Sequence, residues 1–135
     1  LLIQHREHNS GRSSWLLPGG GREANETPEQ CLIREVHEET GLMITVERLL
    51  LDDPAPAGDV YQRFHTYLCH PSTFTASPGM EPESEAAAVY SIAAVGWFAL
   101  NDETQWNKQL AADSLTAPLL RRIRATLEES AGADR

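Results

Sequence analysis

Apolar and polar positions alternate along this chain in a way that predicts short strands, one amphipathic helix near the start and another near the end. Leu1-Leu2-Ile3-Gln4 opens directly in strand-like sequence. At Thr27-Pro28-Glu29-Gln30 the period changes to that of a helix start. Thr27 can cap, Pro28 suits the first helical position, and Gln30 completes a capping box. Cys31, Leu32 and Val36 form the core-facing stripe, and Gly41 supplies the stop. Residues 44–51 have the β-branched and apolar character of a strand. Residues 52–59, with Pro54, Pro56 and Gly58, read as a loop. Residues 60–69 alternate again, with Tyr61, Arg63, His65, Tyr67 and Cys69 sharing one face. Residues 71–85 are irregular, and residues 95–100 are strand-like. A short helix is expected near residues 106–112, then a last helix over about 118–129 that buries Leu119, Leu120, Ile123 and Leu127. The tail, residues 130–135, reads as frayed. Without repeats, this pattern predicts a single α/β layered domain over residues 1–135.

Composition adds little to the fold and something to the function. With 135 residues, 41% of them hydrophobic, the chain is long enough for one compact core. Its net charge is −9, and six of its twenty acidic residues fall between Glu23 and Glu39. Acidity is thus concentrated where a cation could neutralise it, and general binding to a nucleic acid backbone is not expected. No apolar run suggests a membrane span and no signal peptide is visible. Cys31 and Cys69 lack metal-ligand spacing and read as buried thiols of a reducing compartment, consistent with a cytoplasmic protein.

The informative stretch is Gly20 to Leu42, GGREANETPEQCLIREVHEETGL. Glu35, Glu38 and Glu39 stand three and four apart on the predicted helix, so their carboxylates share a face. Like charges so placed repel, and hard oxygen donors of this kind suit Mg²⁺ or Mn²⁺. A glycine-rich loop, Leu17-Pro18-Gly19-Gly20-Gly21, leads into the helix and allows close backbone approach to a ligand.

The spacing of Gly20, Glu26, Arg34-Glu35-Val36, Glu38-Glu39 and Gly41-Leu42 resembles the Nudix box with its defining positions filled. Trp15-Leu16-Leu17-Pro18-Gly19-Gly20 looks like the strand and loop that precede the box in many members. The resemblance implies an α/β/α sandwich with a mixed sheet between the box helix and a C-terminal helix. It also implies metal-dependent hydrolysis of a nucleoside diphosphate linked to another moiety. By position in the motif, Glu35, Glu38, Glu39 and the Gly20 carbonyl are the metal ligands. One of Glu35, Glu38 and Glu39, or a glutamate beyond the box, would accept the water's proton, with Glu38 and Glu35 the catalytic candidates, and Arg34 would bridge to a box carboxylate. Family members usually carry another strand before the one that opens this chain. A segment preceding Leu1 is therefore expected, with a sheet that lacks an edge over these residues. Members are often dimers, so a homodimer is among the expected partners.

Other residues are weaker candidates. Asn25 stands where many members have glycine, and asparagine tolerates left-handed backbone. A catalytic or metal-binding glutamate placed by many members near the strand of Trp97 would have to come here from Glu81, Glu83 or Glu85. Arg6, Tyr61, Arg63 and Glu83 are the candidate substrate contacts; a solvated or merely structural role competes for each. Trp15 could stack on a base or sit in the core, and His37 occupies a variable box position. Nucleoside triphosphates, ADP-ribose and nucleotide sugars all remain open as substrates, and Pro56, fourteen residues beyond Leu42, points only weakly to ADP-ribose. An isopentenyl-type diphosphate isomerase using Cys69, or a non-catalytic nucleotide-binding domain, are the alternative readings.

Overall fold

The computed structural model describes residues 1–79 and 89–133. In chain order the elements are β1 (Leu2–Glu7), β2 (Ser13–Leu16), α1 (Pro28–Thr40), β3 (Ile44–Pro54), β4 (Arg63–Pro71) and β5 (Tyr90–Gly96). A 3₁₀ turn (Glu103–Gln105), the one-turn helix α2 (Lys108–Ala111) and α3 (Thr116–Ala133) complete the chain. The α/β class stands.

The strands pair antiparallel in two separate sheets among the described residues, β2-β1-β5 and β3-β4, where one mixed sheet was expected. The reason lies in β1. It bonds β2 along one edge and β5 along the other, which leaves it no edge for the β3–β4 hairpin. Two apolar cavities of about 260 and 180 Å³ share Leu1, Leu17, Thr66 and Tyr67. Leu32 and Val36 of α1 line the first, and Leu120, Ile123 and Leu127 of α3 line the second.

The main core gathers Leu2, Trp15, Trp106, Leu110, Ala117, Leu120 and Ile123. Burial of each large apolar side chain contributes roughly 1.5–3 kcal/mol. Trp15 meets Phe98 edge-on with ring centroids 5.1 Å apart, so the core reading of this residue holds. Trp106 donates its indole N–H to the Ala99 carbonyl at 2.8 Å, which satisfies the one polar atom it buries. Thr116 donates its hydroxyl to the Trp15 carbonyl at 2.7 Å and fastens the start of α3 to β2.

Three boundaries differ from the sequence expectation. β5 ends at Gly96, opposite Leu2 of β1, and leaves Trp97 to Leu100 outside the strand. Asp52 to Pro54 belong to β3 and pair with His65 to Arg63, so the expected loop is shorter than read. Asp52 accepts from Arg63 Nε at 2.7 Å, an ion pair that holds the hairpin arms together past the prolines. α3 runs to Ala133 and does not fray at 130; Ser130 donates to the Thr126 carbonyl one turn back.

One long connection bears on the site. After β4 the chain returns along the C-terminal end of α1: Ser77 N–H donates to the Thr40 carbonyl at 3.1 Å and Gly79 N–H to the Glu39 carbonyl at 2.8 Å. Both carbonyls belong to the last turn, which has no partner within the helix. Gly79 comes so close that a Cβ there would overlap the Glu38 carbonyl oxygen.

Candidate active site

The helix start forms as its sequence dictates. Gln30 N–H donates to Thr27 Oγ1 at 3.1 Å, and Thr27 N–H donates to Gln30 Oε1 at 2.9 Å. Gly41 closes the helix in the left-handed region, φ 76°. Asn25 also takes left-handed backbone, φ 66°, the one non-glycine to do so among the described residues.

Arg34 is the hub of the site. Its Nε donates to Glu26 Oε2 at 2.7 Å and its Nη2 to Glu26 Oε1 at 2.9 Å, a bidentate pair. Nη1 reaches Glu35 Oε1 at 3.0 Å and Glu38 Oε2 at 3.2 Å, and Nη2 also donates to the Gly21 carbonyl at 3.1 Å. The carboxylate repulsion read from the sequence is thus partly relieved by a side chain of the same helix. Among the described residues no group of three or more His, Cys, Asp or Glu is drawn together closely enough to hold a metal ion. Arg34 stands between Glu35 and Glu38, and Glu39 accepts from Gly19 N–H at 2.8 Å.

The three box carboxylates differ sharply in exposure. Glu35 and Glu39 are each 1% exposed, whereas the Glu38 side chain is 35% exposed. Gly20 packs against Glu35 so tightly that a Cβ would lie 2.6–2.7 Å from its carboxyl atoms. A divalent cation suits this place on two counts: the donors (Gly20 carbonyl, Glu35, Glu38, Glu39) are all hard oxygens, and bare Gly20 lets backbone and carboxylate meet.

Of the other candidates, Glu81, Glu83 and Glu85 lie outside the described residues. Arg63 donates to both the Asp52 side chain (2.7 Å) and its carbonyl (3.1 Å), and His65 Nε2 lies 3.1 Å from the same carboxylate. The charge of Arg63 is paired within the hairpin. Tyr61 packs edge-on to Phe64 beside them. Arg6 is exposed on the β1 face shared with Leu2 and Gln4; Gln4 bonds Gln109 of α2, away from the box. His37 is exposed. Sequence reasoning missed the contacts of Gly79 and Ser77, for which no local signal exists, and the contact of the Cys31 thiol with the Gly20 carbonyl.

Arg34 and a backbone N–H donor at Glu23 hold the Glu26 carboxyl down at about 2, from an ordinary 4.5. Because the folded-state value is the lower one, this tie contributes stability above pH 4.5, losing it as pH falls toward 2. Denaturant midpoints measured from pH 6 to pH 2 should fall over that window. Glu26→Gln should flatten the fall; an unchanged profile in the variant would contradict the assignment.

A family model described as the NUDIX domain matches residues 1–117, from β1 into the first turn of α3. The chain belongs to the Nudix family. Among its Nudix relatives, a putative 8-oxo-dGTP diphosphatase 3 of Mycobacterium tuberculosis is 50% identical over 52 residues, 36% of this chain and 22% of the relative. An ADP-ribose pyrophosphatase of Methanocaldococcus jannaschii is 42% identical over 50 residues, 37% of this chain and 30% of the relative. The matched part thus spans under a third of these curated relatives. The E. coli ORF135 protein, solved in solution, shares the fold: TM-score 0.58, 23% identity, covering 92% of this chain and 79% of that one. No helix among the described residues is long and apolar enough to cross a membrane.

Proposed function

We propose that this Nudix domain hydrolyses a phosphoanhydride bond in a nucleoside diphosphate linked to another moiety, with Mg²⁺ or Mn²⁺ as cofactor. The observation that carries this reading is the close packing of Gly20 against buried Glu35, with Glu39 tied to the same loop through Gly19 N–H and Glu38 on the same helix. Relatives named as diphosphatases and pyrophosphatases support the reaction class.

Gly20, Glu35, Glu38 and Glu39 would hold the cation. Bound there, a divalent cation would neutralise the anionic phosphate oxygens and acidify a water molecule. The chain's own groups do the rest. Glu39 fixes the loop through Gly19 N–H, and Arg34 fixes it through the Gly21 carbonyl. Glu38, the solvent-facing carboxylate of the three, accepts the proton of the attacking water. The larger cavity, flanked by Leu17, Pro18, His65, Tyr67 and Trp97, has no Lys, Arg, Asp or Glu among the described residues of its wall. That lining favours a flat uncharged group, such as a base, over a further phosphate.

The isomerase alternative gains no support. It required Cys69 as a catalytic group, and burial pushes that thiol up to about 11. The test is to incubate the protein with nucleoside triphosphates, ADP-ribose and nucleotide sugars, with Mg²⁺, Mn²⁺ or chelator, and to read products by mass. A nucleoside monophosphate formed only with metal supports the reading. An isomer with no phosphate or nucleotide released would overturn it.

A further inference from the structure

Three consecutive residues of the loop each have one backbone group held by a different side chain of α1. Glu39 accepts from Gly19 N–H at 2.8 Å. The Cys31 thiol lies 3.6 Å from the Gly20 carbonyl oxygen, donating to it. Arg34 donates to the Gly21 carbonyl at 3.1 Å. Gly19, Gly20 and Gly21 have the widest conformational freedom in the chain, so backbone preference alone does not fix where the middle carbonyl points. Side chains must do it, and at Gly20 that side chain is Cys31.

We propose that Cys31 is a positioning residue for the cation, its thiol holding the Gly20 carbonyl in the orientation in which that oxygen serves as a ligand. This rests on the reading of the box as a cation site given above. A carbonyl oxygen has two lone pairs, so it can accept from the thiol and face a cation at once. The sulfur is itself steadied from the other side, where Arg34 Nη2 approaches to 4.0 Å. Cys31 is buried, 6% exposed, so its thiol meets the Gly20 carbonyl away from competing solvent. The thiol also meets the Glu26 carboxylate, whereas Cys69, the other thiol, sits against the Tyr67 carbonyl at 3.9 Å in the hairpin.

The experiment measures Mn²⁺ dissociation constants by electron paramagnetic resonance, without substrate. It compares wild type, Cys31→Ala, Cys31→Ser and Cys69→Ala, each first checked for native circular dichroism. Loss of a weak hydrogen bond predicts roughly three- to tenfold weaker Mn²⁺ binding in Cys31→Ala. Cys31→Ser keeps a donor of similar size and should return to within about twofold of wild type. Cys69→Ala should bind Mn²⁺ as wild type does. Equal affinity in Cys31→Ala and wild type would overturn the proposal. So would equal weakening by alanine and serine, since that signals packing and not the donor. Wild type that binds no Mn²⁺ overturns both this and the cation-site reading. Mn²⁺ bound without hydrolysis of any substrate counts against the reaction alone, and the alanine–serine comparison still decides the role of Cys31.

Discussion

Glu38→Gln should leave the protein folded and lower kcat by about 10²- to 10⁴-fold, the range that a positioned general base supplies. The fold should survive because Glu38 is the exposed carboxylate of the three and glutamine is nearly isosteric. Its side-chain oxygen can still accept from Arg34, which donates to Glu38 at 3.2 Å and also grips Glu26 and Glu35. What glutamine cannot do is carry a proton away at neutral pH. The measurement is kcat at saturating Mn²⁺, with a thermal melt alongside, so that weaker metal binding is not mistaken for lost chemistry. A full rate at saturating metal would assign the proton to another group.

Arg34→Ala has the larger expected cost in stability. Arg34 compensates Glu35, whose carboxylate is 1% exposed, and removing one partner of a buried pair typically costs about 3–5 kcal/mol. That is a large part of the roughly 5–15 kcal/mol available to a domain of this kind. Urea midpoints at neutral pH without metal should show the loss. Adding Mg²⁺ should then raise the melting temperature of the variant more than that of wild type, because the cation takes over the neutralisation that Arg34 provided. If the variant matches wild type without metal, the Arg34 network does not stabilise the box helix.

These two residues also mark how far the sequence could be read. Everything fixed by local chemistry was legible: the Thr27–Gln30 capping box, the Gly41 stop and the left-handed Asn25 all follow from residues within a few positions of one another. The carboxylate spacing was legible too, and the family resemblance implied that Arg34 bridges to a box carboxylate. Spacing alone reads as a repulsion needing an outside cation, and carries no sign that one guanidinium meets Glu26, Glu35 and Glu38 together. The side chain of Arg34 folds back among them and supplies positive charge from within. Features set by distant partners were harder still. β5 ends at Gly96, paired with Leu2 ninety-four positions away, and hydrophobicity along Val95 to Leu100 carries no trace of that boundary. Arg63 looked available for substrate because its alternation put it on an open face, yet Asp52, eleven residues earlier, had already claimed it. The choice among nucleoside substrates was not legible, since relatives named for different substrates match this chain over lengths as short as 52 and 50 residues.

The return of the chain over the end of α1 gives this domain a built-in reporter. The amide hydrogens of Ser77 and Gly79 are bound to carbonyls of Thr40 and Glu39, 37 and 40 residues away in the chain. They can exchange with solvent deuterium only when that docking opens, so their exchange rates measure local opening of the carboxylate-bearing turn. A cation that steadies Glu38 and Glu39 would slow exchange at two backbone sites that touch neither the cation nor the substrate. Site occupancy could then be followed in a protein that is not turning over at all.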